Sequence, residues 1–353
     1  MKISRALALL AFCPMPLCAQ GTQGDYIARD FKFASGEVLP ALRLHYTTLG
    51  TPRRDAAGVV RNAVMILHGT GGTGRAFLSP TYAGELFGPG KLLDTARFYV
   101  VLPDGIGHGG SSKPSDGLHA RFPQYTYDDM VRAQQILLTQ GLGVNHLRIV
   151  MGTSMGCMHA WVWGYTYPGF ADGLVPLACA PAPIVGRNRM MRRMIMDDIR
   201  NDPAYMSGEY KEQPRLGIAA ASQLLFMMTS APLVQHKALP TREAADSAAV
   251  AYLTARARVT DANDMIYQFD ASRDYDPSPH LSQVSAPVLA INTADDQVNP
   301  PELGVMERLM PQVAKGKFIL IPISERTRGH GTHSLPAVWG TYLAEFLGTL
   351  PER

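Results

Sequence analysis

The sequence predicts an α/β fold: a mostly parallel, doubly wound sheet with an inserted helical cap. Three observations lead there. Short runs that are apolar throughout recur along the chain: "AVMIL", "FYVVLPD", "LRIVM", "LVPLACA", "PVLAIN" and "KFILIPI". Such runs suit central parallel strands buried on both faces. Helical patterns separate them, as in "YDDMVRAQQILLTQGL" and "MHAWVWGYTY", and strand–helix alternation of this kind winds helices onto both faces of a sheet. The alternation then stops between about Pro183 and His280. That stretch is helical in composition, rich in methionine (Met190, Met191, Met194, Met196, Met227, Met228) and too long for a loop. It reads as a cap over the sheet. Most of its methionines are expected to pack between helices, and a few to line an adaptable apolar pocket.

Taken in order, Met1–Ala19 stands apart from the fold. Lys2 and Arg5 supply a positive start, "ALALLAF" an apolar core and "LCA" a small-residue cleavage site before Gln20. The run is too short to span a bilayer, so the segment reads as a cleaved secretory signal and the protein as periplasmic or secreted. Neither Cys13 nor Cys18 follows the small residue that a lipid-anchored precursor needs. Tyr26–Phe33 and Leu42–Leu49 read as antiparallel strands joined by "ASGE". The core is then residues 20–182 and 281–353, with the cap at 183–280. A chain of 353 residues, 46% hydrophobic, has the length for this arrangement. Losing Lys2 and Arg5 with no acid takes the formal charge from +3 to +1. No basic stripe appears elsewhere, which excludes a nucleic-acid partner. Cys157 and Cys179 remain, one after the Ser154 turn and one on the next strand. Two buried free thiols are expected there, although the compartment permits a disulfide.

Ser154 lies in "IVMGTSMGCMHAW", with Gly152 and Gly156 two residues to either side. An apolar strand running straight into a helix forces a sharp turn at the serine and lifts its hydroxyl out of the sheet. A side chain at either glycine would collide with the neighbouring strand or helix. G-x-S-x-G in that setting is the nucleophile elbow of α/β-hydrolases. The serine also excludes the aspartate-nucleophile chemistry of epoxide hydrolases and dehalogenases.

A serine hydroxyl needs a histidine to take its proton and an acid to orient that histidine. In this fold the order is serine, acid, histidine, with each partner at the C-terminal end of a late strand. "PVLAIN" runs into "TADDQVNPP", offering Asp295 and Asp296, and D-x-V-x-P favours Asp296. "KFILIPI" is followed by "SERTRGHGTH", offering His330 and, three residues on, His333. His330 follows a glycine ahead of the last helix and is the better placed. The H-x-x-H spacing has no acidic or cysteine ligand set beside it, so no metal site is expected. The oxyanion of a tetrahedral intermediate needs two backbone N–H groups. Met155, after the nucleophile, supplies one, and Thr70 in "MILHGTGGTG" the other. That loop lacks the Lys-Ser/Thr ending of a P-loop and the spacing of a dinucleotide fingerprint, so no cofactor is expected.

"RFPQYTYDDMVRAQQILLTQGLGVNHLRIVMGTSMGCMHAWVWGYTYPGF" resembles the homoserine O-acetyltransferase family. That family has a similar F-P-x-x-T-x-x-D-M-V start, a G-x-S-M-G-G-M elbow and a helix ending in Tyr-Pro. "DDQVNPPE" resembles its acid loop and "GHGTHSL" its histidine loop. The resemblance implies Ser154, Asp296 and His330 as a triad. Relatives of this fold often pair through the cap, which makes a homodimer an expectation.

Two departures bear on function. The family's transferases carry H-A-L-T-G where this chain has His68-Gly69-Thr70-Gly71-Gly72, a form closer to ordinary hydrolases. They also tend to carry an arginine three residues before an isoleucine in the first cap helix, clamping the amino-acid carboxylate. Met196 holds that place here, ahead of Ile199, with Arg192 and Arg193 a turn away. An exported enzyme also meets no acetyl-CoA. The expected function is therefore hydrolysis of small to medium carboxylic esters through an acyl-enzyme on Ser154. An acyltransferase using the same residues and a non-enzymatic ligand binder are the alternatives.

Overall fold

The computed structural model describes residues 21–351, and the expected signal segment Met1–Ala19 lies outside them. An antiparallel pair, β1 (Thr22–Lys32) and β2 (Val38–Leu49), comes first. The chain continues through β3 (Ala63–Leu67), α1 (Pro80–Leu86), β4 (Tyr99–Pro103), α2 (Tyr127–Ile136), β5 (Ile149–Thr153), α3 (Met155–Thr166) and β6 (Leu174–Leu177). Five α-helices follow: α4 (Gly186–Arg200), α5 (Arg215–Thr229), α6 (Pro232–Ala238), α7 (Arg242–Val259) and α8 (Ala262–Asp270). Then come β7 (Val288–Thr293), α9 (Val305–Leu309), β8 (Gly316–Ile321) and α10 (Pro336–Thr349). The eight strands form one sheet in the order β1-β2-β4-β3-β5-β6-β7-β8. It is parallel from β4 to β8, and β2 runs antiparallel to both β1 and β4.

Burial explains five of the six unbroken apolar runs; β8, at the edge of the sheet, is exposed or half-buried except at Ile321. Every residue of β3, β4, β5, β6 and β7 is buried, because helices cover both faces. In β3, Met65 and Leu67 pack with residues of α2 and α3, whereas Val64 and Ile66 pack with α1 and α10. The early strands are longer than their sequence pattern indicated, since ladder pairing extends β1 and β2 beyond their apolar centres. Thr126 caps α2 and exchanges bonds with Asp129, which also accepts from the Ala34 N–H at 2.9 Å. One buried acid thus starts the helix and anchors the β1–β2 turn. The inserted helices hold a separate apolar cluster, with Ile195, Ile199, Ile218, Ala221 and Ile266 at its centre.

The elbow glycines act as the motif requires. A Cβ on Gly152 would sit 2.0 Å from the Gly156 carbonyl oxygen, and one on Gly156 would sit 2.1 Å from that of Leu67. Ser154 itself has φ 54° and ψ −110°, a left-handed φ that costs a non-glycine residue on the order of 1–3 kcal/mol. The surrounding turn holds it there. The Ser154 N–H donates to Leu177 and the Gly156 N–H to His68.

The expectation of two free thiols is overturned: Cys157 and Cys179 form a disulfide. The first turn of α3 lies against the end of neighbouring β6, which brings their Cα atoms to 5.9 Å, within disulfide reach. The spacing in sequence carries no trace of that proximity.

Candidate active site

Ser154 stands at the C-terminal end of β5, beside β3, where the chain order of the sheet reverses. Open α/β sheets place their ligand crevice at such a point. The Ser154 hydroxyl lies 2.8 Å from His330 Nε2, and His330 Nδ1 lies 2.9 Å from Asp296 Oδ2. With Nδ1–H donating to the carboxylate, Nε2 is free to accept from the serine. The structure therefore brings together Ser154, His330 and Asp296. It leaves Asp295 and His333 outside that chain of bonds.

The acid is held by local turn geometry. Asp296 Oδ1 accepts from the N–H groups of Val298 (2.8 Å) and Asn299 (3.3 Å), and Oδ2 from the Asn299 side chain (3.1 Å). Asn299 also donates to the Ala178 carbonyl, so it braces the acid loop against the end of β6. Burial opposes charge on Asp296. The His330 imidazole and the hydrogen bonds from His330, Asn299 and Val298 outweigh it, and the carboxyl sits below its ordinary range. An Asp followed two and three residues on by bonded N–H groups is a short-range pattern, so Asn299 was findable in "DDQVN". Asp295 has another role. Its Oδ2 accepts from the Gly329 N–H at 2.9 Å, and Gly329 has φ 58°. Asp295 thereby fixes the backbone just before His330.

His333 packs edge-to-face on His330, with ring centroids 5.2 Å apart. Burial and the neighbouring His330 push it down to about 3, so it is a neutral wall. Among the described residues no group of His, Cys, Asp and Glu is arranged to hold a metal ion.

Thr70 and Met155 flank the serine, and neither N–H has a backbone acceptor among the described residues. Gly69 lies so close that a Cβ there would be 3.3 Å from the Ser154 Cβ. His68 fixes the loop: its Nε2 accepts from the Gly105 N–H at 3.0 Å, and Nδ1 bonds the Gly69 carbonyl at 2.8 Å. The Pro103–Pro114 loop is thus tied to the Thr70 turn through an imidazole whose place in the sequence gives it no evident role.

A cavity of about 430 Å³ opens over Ser154. The inserted helices give it Met191, Arg192, Leu225, Thr229, Tyr252, Arg256 and Phe269, and no acidic side chain among the described residues lines it. Arg192 is buried, bonds Asn188 and Ser272, and stacks near Phe269. Arg193 instead pairs with Asp197 on the exposed face, and Met196 lies in the helical cluster.

Another buried histidine, on α3, gives a pH prediction. His159 Nδ1 accepts from Gln134, whose oxygen is taken by Trp163, and burial pushes the imidazole down to about 3. The unfolded chain takes up this proton near pH 6.5. Between about pH 6.5 and 3 the unfolded state therefore binds more protons, and stability rises with pH. Acidification should cost at most about 1.4 kcal/mol per pH unit from this group. The urea midpoint of wild type should fall from pH 7 to pH 4.5, and less steeply in His159→Gln. Parallel slopes would remove His159 as a cause.

The chain resembles known proteins over most of its length. It is 29% identical to a probable acyltransferase of Methanothermobacter thermautotrophicus, over 80% of this chain and 86% of that one. It is 34% identical to the homoserine O-acetyltransferase of Geotalea daltonii, over 54% of this chain and 55% of that protein. The chain thus matches about half the length of that relative. Among solved structures it superposes on homoserine O-acetyltransferase from Bacillus anthracis with a TM-score of 0.80 at 22% identity, covering 94% and 99% of the two chains. Esterase E22 gives 0.80 at 21% identity, covering 93% and 100%. The α/β hydrolase fold family matches residues 62–319. With that match, the eight-stranded sheet and the strained serine turn, the chain belongs to the α/β hydrolase fold family.

Proposed function

We propose that this chain is an exported serine hydrolase of carboxylic esters, with Ser154 as nucleophile, His330 as base and Asp296 as its orienting acid. The observation that carries the reading is the pair of bonds from Ser154 Oγ to His330 Nε2 and from His330 Nδ1 to Asp296, at 2.8 and 2.9 Å. Ser154 Oγ attacks the ester carbonyl carbon while its proton passes to His330 Nε2. The N–H groups of Thr70 and Met155 receive the oxyanion. The carbon–oxygen bond to the alcohol breaks, and His330 returns its proton to that oxygen. Water then enters, gives its proton to His330 and attacks the acyl-enzyme. The carbon–Oγ bond then breaks, His330 returns its proton to Ser154 Oγ, and the carboxylic acid leaves.

Water is favoured as acceptor by the disulfide, since such bonds persist in oxidising compartments. That agrees with a secretory reading of Met1–Ala19 and with a place where acetyl-CoA is absent. Acyl transfer to homoserine or another alcohol is the second reading, supported by the likeness to homoserine O-acetyltransferases. Purified protein should release p-nitrophenol from esters graded from acetate to octanoate. It should release no free CoA from acetyl-CoA when homoserine is added. Homoserine-dependent CoA release without ester hydrolysis would reverse the assignment.

A further inference from the structure

Beside the Ser154 cavity lies a second chamber of about 370 Å³, and the two share Thr70, Gly72, Leu225, Arg256 and Phe269. The chamber reaches past the Thr70 turn towards Lys113, Thr260, Asp261 and Asp264. Arg256, on α7, borders both spaces. Its Nε is shut off from solvent without a hydrogen-bond partner, and its guanidinium has no ion pair among the described residues. One helical turn on, the Thr260 hydroxyl is likewise buried and unpartnered. Both residues border the second chamber.

The other charged groups around the chamber are already engaged. Lys113 pairs with Asp116 at 2.6 Å. Asp261 accepts from Tyr210 and Gln213, both at 2.7 Å. Asp264 accepts from the Ser115 N–H and hydroxyl, at 2.9 and 2.7 Å. A guanidinium that borders a cavity while its Nε is buried without an acceptor is costly. A carboxylate resolves it, because its two oxygens match the planar fork of arginine and leave a lone pair for a hydroxyl. Two carboxylates already border the space, which weighs against a dianion such as phosphate.

We infer that Arg256 and Thr260 form a recognition point for a carboxylate carried by the ester substrate, on an arm that passes Thr70 into the second chamber. This rests on the ester-hydrolase reading and adds the substrate class: esters bearing a free acid group away from the scissile bond.

Two pairs of esters test it. 4-Acetoxybenzoate and its methyl ester place the charge, or its neutral counterpart, on the alcohol arm. 4-Nitrophenyl hemisuccinate and 4-nitrophenyl butyrate do so on the acyl arm. Wild type should favour the charged member of one pair in kcat/KM, and which pair it is identifies the arm. Arg256→Gln should lower that charged-to-neutral ratio by about tenfold or more, and Thr260→Val by about threefold. Arg258→Gln, an exposed position on the same helix, should leave the ratio unchanged. Calorimetric binding of succinate to wild type, weakened in Arg256→Gln and partly kept in Arg256→Lys, reads the site without turnover. Preference for the neutral ester in both pairs, or a ratio and succinate affinity unmoved by Arg256→Gln, would overturn the inference. Succinate binding that depends on Arg256 in a protein inert towards all four esters would count against the hydrolase reading and leave the anion site standing.

Discussion

Ser154→Ala is expected to lower hydrolysis of short p-nitrophenyl esters by roughly a millionfold, because the bond that splits the reaction into two steps can no longer form. The loss should fall on kcat. Alanine takes the place of a side chain whose only hydrogen bond among the described residues is to His330, so substrate binding and folding should survive. A residual rate of roughly a thousandfold over water is expected from the remaining oxyanion donors. Circular dichroism and a urea midpoint close to wild type would separate lost chemistry from lost structure. A folded variant retaining a tenth of the activity would end the assignment of Ser154.

The two neighbouring aspartates should part company by a similar margin. Asp296→Asn replaces an acceptor by an amide that donates to His330 Nδ1. That sets the tautomer with the proton on Nε2, where it faces the serine instead of taking its hydrogen. A loss of about ten-thousandfold in kcat is expected. Asp295→Asn keeps a carbonyl oxygen for the Gly329 N–H, and its loss should stay within about tenfold. The histidines follow the same division: His330→Ala should remove activity, and His333→Ala should leave most of it. Equal losses from the two aspartates, or a greater loss from His333 than from His330, would contradict the geometry drawn from the 2.8 and 2.9 Å bonds.

What could be read from the residues was whatever is encoded locally. β3 to β7 were legible because a strand buried on both faces has no polar side, and "AVMIL" has none. Ser154 and Asp296 were legible as candidates because each follows such a strand, and His330 because it follows the apolar run of edge strand β8, in the chain order this fold uses. The D-x-V-N turn holds Asp296 through neighbours two and three residues away. Contacts set by packing were not legible. Cys157 and Cys179 meet only when α3 docks at the end of β6. Arg256 reaches the cavity from α7, a helix with no buried residue, so no apolar stripe announces which way it faces. His68 carries its role through a bond to Gly105, on a different loop.

The disulfide also bears on how order is lost. It joins positions 22 residues apart, and closing a loop of that length removes unfolded conformations worth about 3 kcal/mol. The enclosed segment carries most of α3 and all of β6, the seat on which Ser154 turns. The inserted helices have their own apolar cluster and no cross-link. On heating, the roof of the cavity is therefore expected to loosen before its floor. The roof can then loosen while Ser154 keeps its angle, and substitutions that reshape it leave the anvil beneath in place.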